Sequence, residues 1–211
     1  MQPVENSNDV VRNEKIVAIY GAHINIIAPF IVQLEALDGE FPVEILNEIR
    51  AIFTHISRCS LAETDDVYQD NIVKAERHVK RAILDCHKYM CVAYDEHYRQ
   101  FDRLYKNVDL SVVDNGDFLV DLCQKRKASV HLLQKAKQIE LSSEDDSAIY
   151  SSYADAYNAY SDVYRLIEDS YSKLERAKRR ASKKDIISVV SFIVGLVGLV
   201  GTVFSIVSFF I

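Results

Sequence analysis

Residues 186–211 read IISVVSFIVGLVGLVGTVFSIVSFFI, a run of 26 residues without a single charge. An α-helix rises 1.5 Å per residue, so this run would extend over roughly 39 Å, against a hydrocarbon core of about 30 Å in a bilayer. A second pass would need about 40 residues and a turn in all, so the segment can cross only once. We therefore predict one transmembrane helix over residues 185–211.

A basic cluster precedes this predicted span. Its members are Lys173, Arg176, Lys178, Arg179, Arg180, Lys183 and Lys184. With two acidic residues they give residues 173–211 a net charge of +5; the whole chain carries −6, so residues 1–172 carry −11. Basic residues flank the cytoplasmic end of a span, and residues 1–15 contain no hydrophobic leader. We expect a tail-anchored protein of the cell inner membrane, with a cytoplasmic N-terminal body and with membrane lipid as a partner.

Small and hydroxyl residues follow one face of the predicted span. They recur at steps of three and four residues, which brings all of them to the same side of a helix: Ser188, Ser191, Gly195, Gly198, Thr202 and Ser205. Small residues let helices approach closely in lipid, and hydroxyls bond between helices. We predict a homo-oligomer. The face is either a dry packing seam or a pore wall, or the segment is an anchor in which the small residues are incidental.

A stalk is predicted over residues 142–184. Apolar and aromatic residues occupy the a and d positions of a coiled-coil heptad there: Tyr153, Tyr157, Tyr160, Tyr164, Ile167, Tyr171 and Leu174. The same phase continues at intervals of seven through Ser188, Gly195 and Thr202. A single helix running from the body into the membrane is the prediction. The alternative is that these tyrosines pack on the protein's own helices as ordinary core.

Residues 1–141 are predicted to form an all-α cytoplasmic bundle, elongated and continuous with the C-terminal helix. Glycine and proline are scarce, with six and three in the chain, and no run alternates as a strand would. We predict helices over residues 11–37, with Pro29 as a kink, from Pro42 onward, over 65–105 and over 117–141. The apolar stretch Ile16–Ile31 has too few residues for a span, and is interpreted as a buried bundle helix, with contact at the membrane surface as the alternative.

Two local basic faces stand against the acidic body. Lys74, Arg77, Arg81 and Lys88 lie on the third predicted helix, and Lys125, Arg126 and Lys127 on the fourth. Either face could receive an anionic ligand such as a nucleotide, and ordinary solvated surface is the alternative. The overall negative charge argues against non-specific binding of nucleic acid.

Signals for catalysis are weak, and no cofactor, metal site or catalytic residue is predicted. The four cysteines have no paired CxxC spacing. Arg50 with His55, and Arg126 with His131, are similar in spacing to the R-x(4–6)-H motif of HEPN ribonucleases. The residue after Arg50 is alanine, where that motif usually has a polar residue. We expect a protein that is not an enzyme.

Two phrases, LNEIRAIFTH at residues 46–55 and KAERHVKRAILD at residues 74–85, resemble small helical membrane effectors of bacterial antiphage defence, nearest to Hailong-type channel effectors. The resemblance implies an oligomeric ion channel that the cytoplasmic bundle keeps shut. It further implies opening when a nucleotide or oligonucleotide signal, or a partner enzyme, reports infection, and abortive infection by depolarisation. A tail-anchored scaffold or adaptor is the alternative function, and a HEPN-like ribonuclease the third.

Overall fold

The computed structural model describes the backbone of residues 7–39 and 41–210, and the side chains of residues 12–37, 39 and 41–183. The helices are α1 (Ser7–Ala22), α2 (Ala28–Asp38), α3 (Val43–Ser60), α4 (Asp65–Tyr105), α5 (Asp117–Ser142) and α6 (Asp146–Phe210). No strand occurs in the described backbone, so the predicted all-α class is confirmed. The predicted helix boundaries agree with these to within a few residues.

The first two helices are joined without a gap by a π-helical turn, His23–Ile27. Pro29 follows in the first turn of α2, where its missing N–H and bulky ring disturb the regular hydrogen-bond ladder. The wider π turn absorbs this disturbance, and the N–H of Ala28 donates to the carbonyl of His23. Gly39, with φ of 70°, then ends α2 in the left-handed conformation that glycine adopts readily.

Because the helix continues through the π turn, Arg12–Leu37 forms a 26-residue helical stretch that is long and apolar enough to cross a membrane. Length and composition do not distinguish such a span from the core helix of a bundle or from a signal sequence. The prediction that the apolar helix around Ile16–Ile31 is too short for a span was therefore wrong, because the helical stretch extends beyond these residues at both ends. The interpretation as a buried helix holds for one face only. Ile19, Ile27 and Leu34 are buried, whereas Val17, Ile24 and Val32 are exposed.

The chain divides into two compact units, Met1–Arg99 with Lys125–Tyr164, and Gln100–Gln124 with Arg165–Ile211. In the first unit α4 contributes a stripe of buried residues at close to heptad spacing to the core. The stripe consists of Ile72, Ala75, Val79, Ala82, Cys86, Met90 and Ala93, all buried. Ile45, Ile52 and Ile56 of α3 complete the apolar core against it.

The second unit has its own small core. Phe101 lies 4.9 Å from Tyr105 and 6.3 Å from Phe118 between ring centroids, and Ile167 and Leu174 are buried as well. The turn before α5 has left-handed backbone at Asp114, Asn115 and Gly116, with φ of 48°, 54° and 96°. Aspartate, asparagine and glycine tolerate this conformation best, which is why this tripeptide predicts a turn.

Candidate functional site

An aromatic seam joins α6 to α4 in the first unit. Its rings are those of His87, Tyr94 and His97 on α4, and Tyr157 and Tyr164 on α6. Tyr94 stacks on Tyr164 at 4.8 Å and on Tyr157 at 6.2 Å between ring centroids. His87 stacks on Tyr157 at 5.3 Å, and His97 meets Tyr164 edge-on at 4.8 Å. Such ring pairs add about 0.5–1.5 kcal/mol each beyond the area they bury. The seam therefore fixes the start of α6 to the bundle.

The stalk tyrosines accordingly pack on the protein's own helices in this unit. Tyr153 and Tyr160 are 2% and 3% exposed, and Tyr157 and Tyr164 are half-buried in the aromatic seam. Further along α6, in the second unit, Ile167 and Leu174 are buried. Tyr171 differs, being 58% exposed. Of the seven predicted stalk residues, it is the one with most surface left for a neighbouring chain.

Arg126 of α5 sits in an aromatic clamp formed by Tyr98 and Tyr160. Its guanidinium carbon lies 4.4 Å from the centroid of Tyr98 and 5.4 Å from that of Tyr160. The same guanidinium pairs with Asp95 of α4 at 2.5 Å, and both side chains are largely buried. A planar cation that stacks and pairs at once suits arginine and not lysine. One residue thus ties α4, α5 and α6 together.

A second polar cluster, made of Lys88, Glu140 and Tyr153, also fixes α6. The Lys88 ammonium lies 2.5 Å from Glu140 and 4.9 Å from the ring centroid of Tyr153, whose hydroxyl donates to Glu140. Burial would raise the pKa of Glu140, but hydrogen bonds from Lys88 and Tyr153, together with the charges of Lys88 and Lys137, outweigh it and lower that pKa. Burial, followed by the bond to Glu140, raises the pKa of Tyr153. Glu140 is therefore an ionised carboxylate at neutral pH that accepts hydrogen bonds from Lys88 and Tyr153.

His87 occupies the most unusual position in the aromatic seam. Besides Tyr157, its ring contacts Phe30 edge-on at 5.2 Å. Its Nδ1 is buried and has no hydrogen-bond partner in the described part of the chain. Burial lowers the pKa of His87, so the ring is neutral near pH 7. It also borders a cavity of about 320 Å³ shared with Tyr150 and the first residues of α6.

The structure does not assemble the predicted anion-binding residues into one site. Four of the seven have a carboxylate partner: Lys74 with Asp70, Lys88 with Glu140, Lys125 with Asp162 and Arg126 with Asp95. Arg77, Arg81 and Lys127 are exposed. Spacing along one helix could not reveal these partners, because most of them come from a different helix.

The residues similar to the HEPN motif also have structural partners. His55 Nδ1 lies 2.9 Å from Asn71 Oδ1, and its ring stacks on His78 at 5.4 Å. His78 Nδ1 lies 2.6 Å from Glu48. Arg50 is exposed, as is His131, while Arg126 is engaged in its clamp.

The described residues contain no group of three or more histidine, cysteine, aspartate or glutamate side chains that could hold a metal ion. Burial raises the pKa of Cys86 and of Cys91 to about 12, so both are protonated thiols at neutral pH.

The predicted span residues belong to the last part of α6, whose helical backbone continues to Phe210. Their side chains lie outside the described residues: Ser188, Ser191, Gly195, Gly198, Thr202 and Ser205. The uncharged segment thus follows the seam-bearing segment on one helix. Comparison of the chain with known protein families, characterised proteins and solved structures finds no match.

Proposed function

We propose that this chain is a homo-oligomeric membrane effector whose C-terminal spans form a gated ion channel or pore. Opening would depolarise the host cell in antiphage defence, and the cytoplasmic bundle would control it. The observation that carries the proposal is the continuity of α6 over 65 residues, from Asp146 to Phe210. The docked segment and the uncharged segment therefore belong to one continuous helix.

The aromatic seam supports control by the bundle. Ring stacking at Tyr157 and Tyr164, together with the Arg126 clamp, gives α6 a defined docked position on α4 and α5. A ligand or partner that binds the released helix more tightly than the docked one would shift the population toward release. Because α6 is one helix, release at the seam would change the arrangement of the spans.

Exposed apolar side chains on α1, the π turn and α2 support self-association. Val17, Ile24 and Val32 are 59%, 65% and 65% exposed, and Tyr20 meets the exposed Phe53 of α3 at 6.1 Å between ring centroids. We take these side chains together as one apolar patch, and such a patch is typical of a protein or membrane contact. Together with the small-residue face of the span, it gives each chain a second surface for a neighbour.

A tail-anchored scaffold is the second candidate, and the burial of Tyr153 and Tyr160 favours it. Residues that are buried in the chain's own bundle are not available to a helix from another copy. In that case the span would serve only as an anchor, and its sequence beyond general hydrophobicity would not matter.

Counting subunits in the membrane separates the two candidates. The full chain, fused to a fluorescent protein at its N-terminus, would be compared with a variant in which residues 186–211 are polyleucine. We expect several photobleaching steps per spot for the native span and fewer for polyleucine, with equal membrane insertion. Equal step counts would argue for the scaffold.

A further inference from the structure

A basic pocket of about 250 Å³ lies in the second unit. Lys173, Arg176 and Arg180 line it from α6, and Val113 and Asp114 line it from the turn before α5. The three basic residues are spaced by three and four positions, so they share one face of the helix. Within the longer basic run of residues 173–184, the structure thus selects three basic side chains that line one pocket.

The charge inside the basic pocket is not balanced by its own residues. Asp114 is the one carboxylate among the described residues that line it, and it pairs with Lys173 at 2.7 Å. Arg176 donates from Nε to the carbonyl of Ser172 at 3.1 Å, which uses only one of the five N–H donors of a guanidinium. Two arginines therefore exceed the acidic charge that faces them.

Two apolar residues that line the basic pocket are buried. Val113 of the turn and Ala177 of α6 are 2% and 6% exposed. Asp114 has a left-handed backbone with φ of 48°, and its carboxylate pairs with Lys173 of α6. A concave surface with arginines on a fixed helix face is the arrangement that recognises phosphate oxygens.

We propose that this basic pocket binds a phosphate group. Arg176 and Arg180 pair with its oxygens, and Lys173 is shared between the phosphate and Asp114. The phosphate comes from an anionic lipid headgroup or from a free phosphate compound. Arg180 precedes Ile186 by six residues, about 9 Å of helix, which places it at headgroup depth if the predicted span begins there. Only this lipid source depends on the proposed membrane function.

Two charge-matched double variants separate a pocket from diffuse attraction. Arg176→Gln with Arg180→Gln removes two charges from the pocket. Arg179→Gln with Lys183→Gln removes two charges from exposed positions of the same helix that do not line it. Full-length protein in an uncharged detergent is titrated calorimetrically with dihexanoyl phosphatidic acid and, separately, with inorganic phosphate.

The pocket variant is expected to weaken binding about tenfold, and the control variant less than twofold. Asp114→Asn should tighten binding, because it releases Lys173 while asparagine keeps the left-handed backbone. An exposed ion pair is worth about 0.2–1 kcal/mol, so the gain should be at most about fivefold. This gain in binding cannot arise from a variant that merely fails to fold.

Binding of phosphatidic acid alone would support the pocket with a lipid source, and binding of both probes with equal affinity would support it with a free phosphate compound. Inorganic phosphate binding with this pattern would stand even if the proposed channel function failed. Equal weakening by the two double variants, weaker binding in Asp114→Asn, or no binding of either probe would overturn the proposal.

Discussion

The imidazole of His87 lies nearly parallel to the ring of Tyr157, with the centroids 5.3 Å apart and the planes inclined by 25°. His87 is on α4 and Tyr157 on α6, so this contact belongs to the interface that holds the long helix to the bundle. The buried Nδ1 of His87 has no hydrogen-bond partner among the described residues. Protonation would therefore place an unpaired charge inside the aromatic seam.

Acidification should destabilise the bundle through His87. Burial lowers its pKa in the folded state, so the unfolded chain binds more protons below about pH 6.5. The stability that neutral His87 contributes to the folded state is fully present above that pH, and it is lost as the pH falls through the lowered pKa of the folded state. We expect the free energy of unfolding to fall by up to about 1.4 kcal/mol per pH unit, followed by tyrosine fluorescence in urea.

His87→Phe keeps an aromatic ring on Tyr157 and should remove this pH dependence, whereas His131→Gln at an exposed position should preserve it. Asp85 acts in the opposite direction, because burial raises its pKa and protonation then favours the folded state. An unchanged slope in His87→Phe would contradict the assignment.

Removing the arginine of the aromatic clamp should be costly. Arg126→Met leaves Asp95 largely buried without this partner, although Asp95 still accepts from Arg99 at 2.8 Å. We expect a loss of about 2–3 kcal/mol in the free energy of unfolding, below the roughly 3–5 kcal/mol for a fully buried pair. Lys127→Met, at the exposed neighbouring position, should change it by less than about 0.5 kcal/mol. Similar losses from both would mean that the clamp is not specific.

Two tyrosines of α6 should behave in opposite ways. Tyr164→Ala removes a half-buried ring stacked on Tyr94 and should cost about 2 kcal/mol of folding stability, below the roughly 3–5 kcal/mol for a fully buried aromatic residue. Tyr171→Ala, at the exposed position, should leave the stability of the chain within about 0.5 kcal/mol. If α6 also contacts other copies, Tyr171→Ala should instead reduce the oligomer in membranes, which cross-linking measures. A stable, fully oligomeric Tyr171→Ala would rule out a contact there.

Much of this fold could be predicted from residue patterns alone. The bounds of α4, the end of α2 at Gly39 and the turn at Asp114–Gly116 follow from local rules of periodicity and backbone conformation. The continuity of α6 follows from a heptad phase that carries through residue 202.

The partners of the stalk and of the basic residues could not be predicted in the same way. A heptad of tyrosines has the same pattern whether it faces its own bundle or another chain. In the aromatic seam the tyrosines face their own bundle because Tyr157 packs on Tyr94 and His87. Both of these residues lie more than 60 positions from Tyr157 in the sequence. The Asp114 that faces Lys173 is likewise distant, 59 positions away. Long-range contacts of this kind appear only once the helices are packed.

The span itself should be sensitive to bulk on one face. Gly195→Leu with Gly198→Leu should force neighbouring helices apart and abolish oligomers, because small residues permit their close approach. Val200→Leu with Val207→Leu adds bulk to the opposite face of the same helix and should be tolerated. Carbonate extraction checks that both variants remain inserted, and cross-linking in membranes measures the oligomer. Intact oligomers in the glycine variant would refute the packing face.

The most direct test of the proposed channel is the membrane potential of bacteria, followed with a voltage-sensitive dye before and after phage infection. Cells would express the full chain or the variant with polyleucine at residues 186–211, at matched levels in the membrane. Our account predicts depolarisation with the native span in at least one of the two conditions, and none with polyleucine. A potential that stays normal in every case, or that collapses equally with both spans, would contradict it.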